Sequence, residues 1–584
     1  MKRMNVLTLC GALGLIALYT LGIAGYPLQD PDEGRYAAIP LEMLLSGDWV
    51  TPRLNGASYF EKPPLLYWLV ASCFSILGVS EGVARLVPAC AAILTVAIVW
   101  LLGRREVSAR AGALGAAILA TSPLFFVIGQ TLVIDGLLTL LWTATLAATW
   151  LAATAPDEKR RAWVLVATAA CALGVLAKGL VALAVPGLTA LLWLALERDW
   201  RTARLFLRPS PIAVFLVLTV PWFVRVAQAN PDFLEFFFIR EHFGRYMAGV
   251  GHREGPWYYL PVLAAGPLPW TALAAGLALS PAGRAAFRSV RGEPLVRFLG
   301  LWSLTVIGFF GLASSKLAPY VLPAFPPAAL LAGIWLDRVL RFGDGLRGPL
   351  GSIGGGMVVL GLLASGTGGL GLLFAEWNVL GALFDAADVW AVSRATLACG
   401  SAATVGGWLV RRLARTATDG GAAALRGLVV TMGLVLLAVT VGRSVGKTSR
   451  AMGLAIRAQA SPDAAVVAYE RFMQSLGFYA GRRVVLIDNF GELRPSEAWT
   501  PDRDDWFWHG RERLLALWAS PTPVFLATGN DELAGLTEIL DPPPVVLVRE
   551  HRRVLVTKPA PPGPAAATTR RDEAQRLAGP QDSR

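Results

Sequence analysis

Asp30, Asp32, Glu33, Arg35, Asp48, Glu61 and Lys62 lie within Gln29 to Trp68, a charged and aromatic interlude between two apolar runs. Further on, Asp135 (TLVIDGLLTL) and Lys178 (VLAKGLVAL) are isolated charges in apolar surroundings. The stretch 227–257 gathers His242 and His252 with Arg240, Arg245 and Arg253, and leads into Trp257, Tyr258 and Tyr259. Ser314 to Tyr320 adds Lys316 and a phenol, that of Tyr320. Carboxylates can orient or deprotonate an acceptor, while guanidinium, ammonium and phenol groups can receive an anionic leaving group. Apolar and aromatic walls can hold a lipid tail. All three together suit the transfer of a sugar from a lipid phosphate. The sequence has no phosphate-cradling Gly-x-x-x-x-Gly-Lys loop and no His/Cys/Asp set at metal-ligand spacing, so an activated lipid donor fits better than a nucleotide.

The elements that position these groups must cross a membrane. Of 584 residues, 55% are hydrophobic and only 16% charged, against about 25% charged in soluble proteins. The net charge of +12 does not imply nucleic-acid binding, because the basic residues sit in short clusters between apolar runs. Met1 to Gly25 has Lys2 and Arg3 before its apolar run, as a signal peptide would. It lacks a convincing small-x-small cleavage site, and its roughly twenty apolar residues can span the hydrocarbon core, so it reads as a retained anchor. Further spans are predicted near 83–102, 111–129, 137–154, 162–177, 179–196, 211–226, 258–279, 298–314, 318–336, 352–374, 391–410 and 427–445. That makes about thirteen in all.

With the N-terminus inside, alternate loops carry the Lys/Arg excess: Arg104, Arg105 and Arg110, then Lys159 to Arg161, Arg198 to Arg208, Arg284 to Arg297, Arg338 to Arg347 and Arg411 to Arg426. Counting Leu65 to Val79 as a span would break this alternation, so it reads as an interfacial or re-entrant helix after Pro63 and Pro64. Parity then puts 26–82, the turn at Asp135 and 227–257 on the outer face, where the unusual charges gather. The five cysteines lie mostly in apolar segments without disulfide or metal spacing and read as small hydrophobes. No internal repeat is evident, which argues against an inverted-repeat transporter.

After about residue 446 the long apolar runs stop. Ala464–Tyr469, Arg483–Asp488, Pro523–Thr528 and Val545–Arg549 read as strands, and Glu512–Trp518 and Asp531–Leu540 as helices. The fold class is therefore mainly α: a polytopic membrane domain over 1–446 with a small α/β domain over 447–558 outside the membrane, and a disordered tail over 559–584. His509 and His551 are lone and read as surface residues.

Each charged group also has a structural reading. The first-loop acids could be helix caps on a solvated loop, and Asp135 could simply pair with Lys178, since both reach the same face and a lone carboxylate there needs a partner. Arginines beside Trp257 to Tyr259 could be generic lipid-surface charge, although Lys and Arg are normally depleted on the outer face.

Several segments together resemble the bacterial 4-amino-4-deoxy-L-arabinose lipid A transferases, relatives of the protein O-mannosyltransferases among the GT-C glycosyltransferases. They are DEGRYA at 32–37, YFEKPPLLYW at 59–68, the Asp135 turn, AKGL at 177–180, REHFGRY at 240–246, GPWYYLP at 255–261 and SKLAPYVLP at 315–323. The resemblance implies a thirteen-helix GT-C fold with periplasmic juxtamembrane helices in the bacterial inner membrane, and an undecaprenyl-phosphate sugar donor. It sets Asp32 and Asp135 in the places of two catalytic aspartates, with Lys178 beside them and Glu33 adjacent. It sets Lys62, Arg245 and Tyr320 in the positions that hold the donor phosphate; Arg35, Glu61, His242, His252 and Lys316 are the supporting candidates among the outer-face residues. Glu61 matches a carboxylate associated with bound zinc, but Arg240-Glu241-His242 has arginine where the family has a first histidine, which weakens the case for a metal.

The expected activity is inverting transfer of 4-amino-4-deoxy-L-arabinose, or a related sugar, from undecaprenyl phosphate to lipid A on the periplasmic face. A lipid A phosphate, with a second pKa of about 6, needs little help from a base, so Asp32 and Asp135 would orient the substrates and hold the aminosugar ammonium. A hydroxyl on a protein or another glycan is the alternative acceptor, and would make Asp32 a general base. A flippase without chemistry is the third reading; it requires charges along a path through the bilayer rather than at one face.

Overall fold

The computed structural model describes residues 6–244, 254–342, 345–376, 386–442, 446–493, 500–550 and 552–559. The apolar runs fold as helices because only internally hydrogen-bonded backbone is tolerated in lipid. In chain order the first are α1 (Val6–Thr20), α2 (Asp32–Ser46), α3 (Leu65–Leu77), α4 (Glu81–Glu106), α5 (Ala109–Ala120), α6 (Pro123–Gly129), α7 (Ile134–Thr154), α8 (Asp157–Lys178) and α9 (Val181–Leu196). Local chemistry sets their ends. Ser80 caps α4 by accepting from the Val83 N–H, and Arg104 and Arg105 sit on its negative end.

Among the described residues, eight helices are long and apolar enough to cross a membrane, or ten if each bent pair is one span. The expected thirteen is therefore not reached by length and composition. Helices α1 and α9, with 15 and 16 residues, are short for a straight crossing. Ala386–Thr416 is long enough, but Arg394 and Arg411 confine its uncharged stretch to residues 395–410. The bent pairs break at prolines: α5 and α6 meet at 69° before Pro123, and Pro256–Ala265 meets Trp270–Leu279 at 93° around Pro267 and Pro269.

Two later helices, Arg347–Glu376 and Ala386–Thr416, form a hairpin along a seven-residue repeat of small side chains. Gly354, Gly361 and Gly368 on one helix meet Ser393, Gly400 and Gly407 on the other. A repeat of seven keeps one seam facing its partner along the whole contact.

The first loop is ordered. Asp32 and Glu33 occupy the first turn of α2, where the helix dipole favours acids, and the helix stops on Gly47 at φ +72°. A two-residue hairpin follows, β1 (Arg53–Leu54) with β2 (Ala57–Ser58), and Glu42 accepts the N–H groups of its turn residues Asn55 and Gly56. Asp48 is likewise structural, accepting from the Val50 and Thr51 N–H groups. Helix α3 buries Leu66, Tyr67, Val70, Ala71 and Phe74 and leaves Leu69, Ile76 and Leu77 exposed. That is the pattern of a helix lying against lipid.

Residues Thr448–Arg584 form a second compact unit. Its strands are β3 (Ala465–Tyr469), β4 (Val485–Ile487), β5 (Phe507–Trp508), β6 (Val524–Gly529), β7 (Val545–Glu550) and β8 (Arg553–Thr557), in the order β5-β4-β3-β6-β8-β7. The first four are parallel, and β8 and β7 add antiparallel at one edge. Val467, Leu526, Trp518, Leu536 and Val556 lie in its apolar core.

Candidate active site

Asp135 stands in the first turn of α7, and Lys178 is the last residue of α8. Each is placed at the helix end whose dipole favours its charge. Because α7 and α8 are antiparallel neighbours, the two ends meet, and Lys178 Nζ lies 2.5 Å from Asp135 Oδ1. Both side chains are nearly buried, and the ammonium also sits 4.4 Å from the centre of the Tyr320 ring. Three residues far apart in sequence thus form one unit.

Tyr36, on α2, links this unit to the first loop. Burial pushes its phenol pKa up, Arg35 opposes, and Asp32, Asp135 and Glu61 add to the rise. Carboxylates from two separate segments therefore bear on one phenol. Tyr59 and Tyr67 are also raised by burial, with Glu61 adding and Arg35 opposing. All three stay protonated at neutral pH. The rings of Tyr36 and Tyr67 lie 6.1 Å apart.

Asp32 is 54% exposed, the most open of the candidate carboxylates in this cluster, and pairs with Arg35 one helical turn on. Arg35 also donates to the Tyr59 hydroxyl at 3.1 Å. Lys62 donates to the backbone carbonyl of Glu61 at 2.8 Å, at the turn before α3. The loop 26–82 meets the helix Pro209–Ala229 and the residues just after it: Trp222 donates to the Val50 carbonyl, Asn230 donates to Thr51, and Phe60 lies 5.1 Å from Phe233.

Glu33 and Lys316 depart from expectation. Glu33 is 1% exposed and already holds Arg85, through Nε at 2.8 Å and a terminal nitrogen at 2.7 Å, together with the backbone N–H groups of Leu132 and Gln29. A carboxylate so engaged is a strut, which corrects its expected catalytic place. Lys316 is 3% exposed and donates to the Glu254 and Ala313 carbonyls, closing the end of Pro294–Leu312. Arg85 itself was not anticipated. Fully buried on α4, it lies 3.6 Å from the Tyr26 ring centre and donates to the carbonyls of Ile23, Tyr26 and Pro27. Its signal was an arginine just inside the predicted span 83–102.

Arg245 and His252 lie outside the described residues, as does the side chain of His242. Arg240 pairs with Glu235 at 3.5 Å. Among the described residues no group of three His, Cys, Asp or Glu side chains could hold a metal.

Known proteins divide the chain in two. Residues 61–225 match the family described as dolichyl-phosphate-mannose-protein mannosyltransferase, and residues 452–558 match the aminoarabinose transferase C-terminal domain. The undecaprenyl phosphate-alpha-4-amino-4-deoxy-L-arabinose arabinosyl transferase of Edwardsiella ictaluri is 32% identical over 403 residues, 67% of this chain and 69% of that protein. The chain belongs to this arabinosyl transferase family. Relatives from Pseudomonas fluorescens and Pectobacterium carotovorum are 34% and 36% identical over 60% and 58% of this chain, and the alignments span 64% and 61% of their lengths. The crystal structure of ArnT from Cupriavidus metallidurans bound to undecaprenyl phosphate superposes with TM-score 0.78 and 29% identity, covering 95% of this chain and 98% of that one. The apo ArnT structure gives 0.77, at 27% identity and with 99% of this chain covered. The family's members are thus matched both in the membrane domain and in the C-terminal unit.

Proposed function

We infer that this multi-pass membrane protein is a glycosyltransferase that moves 4-amino-4-deoxy-L-arabinose from undecaprenyl phosphate to lipid A at the periplasmic face of the inner membrane. The observation that carries the reading is the Asp135, Lys178 and Tyr320 unit, with the Asp32 and Glu61 carboxylates of the first loop bearing, as Asp135 does, on the Tyr36 phenol. It stands in a chain that matches an undecaprenyl phosphate-bound ArnT structure over nearly its whole length.

In this mechanism an acceptor oxygen attacks the anomeric carbon as its bond to the donor phosphate breaks, and undecaprenyl phosphate departs as an anion. Lys62, Arg245 and Tyr320 receive that phosphate; their donors stabilise charge as it develops. Asp32 and Asp135 orient the substrates and hold the aminosugar ammonium, while Lys178 holds Asp135 in place. A lipid A phosphate is largely dianionic at neutral pH, so no strong base is required.

The mannosyltransferase match over 61–225 favours a second reading, transfer to a protein hydroxyl with Asp32 as general base. The aminoarabinose transferase match over 452–558 weighs for lipid A. Mass spectrometry of lipid A from cells carrying the wild-type or Asp32→Asn protein separates the two. Aminoarabinose on lipid A phosphates should appear with the wild type and fall by at least about 100-fold with the variant. Unmodified lipid A in both strains would favour the protein acceptor.

A further inference from the structure

We propose that Arg85 is a positioning residue for the transfer: through Glu33 it sets Asp32 and Asp135 at their working separation. The proposal rests on the assignment of those two aspartates to the reaction.

A buried ion pair is a poor source of stability. Apolar groups of the same shape often hold a fold as well or better, whereas removing one partner strands the other's charge. The value of this pair lies in what it organises. Glu33 directly follows Asp32 in the first turn of α2. One of its oxygens accepts the N–H of Leu132, three residues before Asp135, and the other accepts the N–H of Gln29, three residues before Asp32. A single carboxylate is thus tied to the segments that deliver both aspartates.

Arg85 fixes that carboxylate from the far side. Its Nε and one terminal nitrogen grip the two Glu33 oxygens, and the terminal nitrogens also hold the carbonyls of Ile23, Tyr26 and Pro27, the connection from α1 to α2. The Tyr26 ring packs on the guanidinium, and the Tyr26 hydroxyl donates to the Gln130 carbonyl at 2.6 Å, reaching the Asp135 turn by a second route. Lysine, with one nitrogen, cannot serve five acceptors in this planar arrangement. No atom of Arg85 or Glu33 needs to touch a substrate for this role. A small shift of Asp32 relative to Asp135 would misplace the acceptor against the sugar, and a displacement of about 1 Å can cost about 100-fold in rate.

The test uses the full-length protein in detergent with two variants, Arg85→Lys and the charge-free double variant Glu33→Gln/Arg85→Met. Folding and donor-lipid binding are read from the thermal shift with undecaprenyl phosphate alone; kcat and KM are read from transfer of aminoarabinose from its undecaprenyl-phosphate donor to lipid A. Both variants should show the wild-type shift and donor KM, with kcat lower by about 100-fold. Wild-type kcat in either folded variant would overturn the proposal, as would a raised KM with unchanged kcat. Should the double variant not fold, Arg85→Lys decides alone, since it retains the buried charge. An inactive wild-type protein would instead count against the proposed function, and a fully active Arg85→Lys beside an active wild type counts only against the positioning role.

Discussion

Asp135→Asn is expected to lower sugar transfer by at least about 100- to 1000-fold, the loss typical when one preorganised electrostatic group is removed, while the protein stays folded. Asparagine has nearly the shape of aspartate, so the start of α7 and the Thr139 hydrogen bond to the residue-135 carbonyl survive. What disappears is the charge that pairs with Lys178 and acts on Tyr36. The competing reading, a pair kept only to neutralise two buried charges, makes a different forecast. If it held, Asp135→Asn combined with Lys178→Met would remove both charges and restore turnover along with stability. On the catalytic reading the double variant recovers thermal stability but not transfer. Melting temperature and kcat measured on the same preparation tell the two apart, and a double variant with wild-type turnover would sink the assignment of Asp135.

The second large effect concerns stability. A Cβ at Gly361 would lie 2.5 Å from Thr404 Oγ1, 2.6 Å from the Thr404 nitrogen and 2.7 Å from the Gly400 carbonyl oxygen. Two of those atoms are backbone and cannot swing aside. Gly361→Leu should therefore force the hairpin of Arg347–Glu376 and Ala386–Thr416 apart and cost about 3 kcal/mol or more. Gly369 lies eight residues further along the same helix, and a Cβ there meets nothing within 4 Å. Gly369→Leu is the control and should unfold at nearly the wild-type temperature. Leucine is the better helix former, so propensity predicts no loss at either position, and equal losses at the two would mean that the close approach at Gly361 does not govern this hairpin.

Much of this was readable from residue types alone. Isolated opposite charges in apolar runs, placed on one face by loop parity, anticipated the Asp135–Lys178 pair. The alternation of Arg-rich loops set Leu65 to Val79 apart from the spans, and Leu65–Leu77 is a helix of 13 residues, short for a straight crossing. In the C-terminal unit β3, β4, β6 and β7 fall where β-branched strings predicted strands. The two-residue β5 and the edge strand β8 were missed, the first for its length and the second because Arg552 and Arg553 broke the apolar signal. Glu33 was misread because its neighbours in sequence are charged and open, while its true partner, Arg85, lies 52 residues away inside a helix. Burial of a charge depends on tertiary contacts, and no local pattern announces it. Among the described residues eight to ten helices pass by length and composition, because a short helix or nearby arginines shorten the apolar length available at others.

The outward row Leu69, Ile76 and Leu77 on α3 bears on how turnover should depend on concentration. That helix follows directly from Glu61 and Lys62, so on the proposed function an apolar face turned to lipid would hold the donor-binding turn at a fixed depth in the bilayer. A polyprenyl donor then meets the enzyme by sliding sideways within one leaflet. The rate should follow the donor's mole fraction among the surrounding lipids and be diluted by added phospholipid, whatever the volume of the vessel.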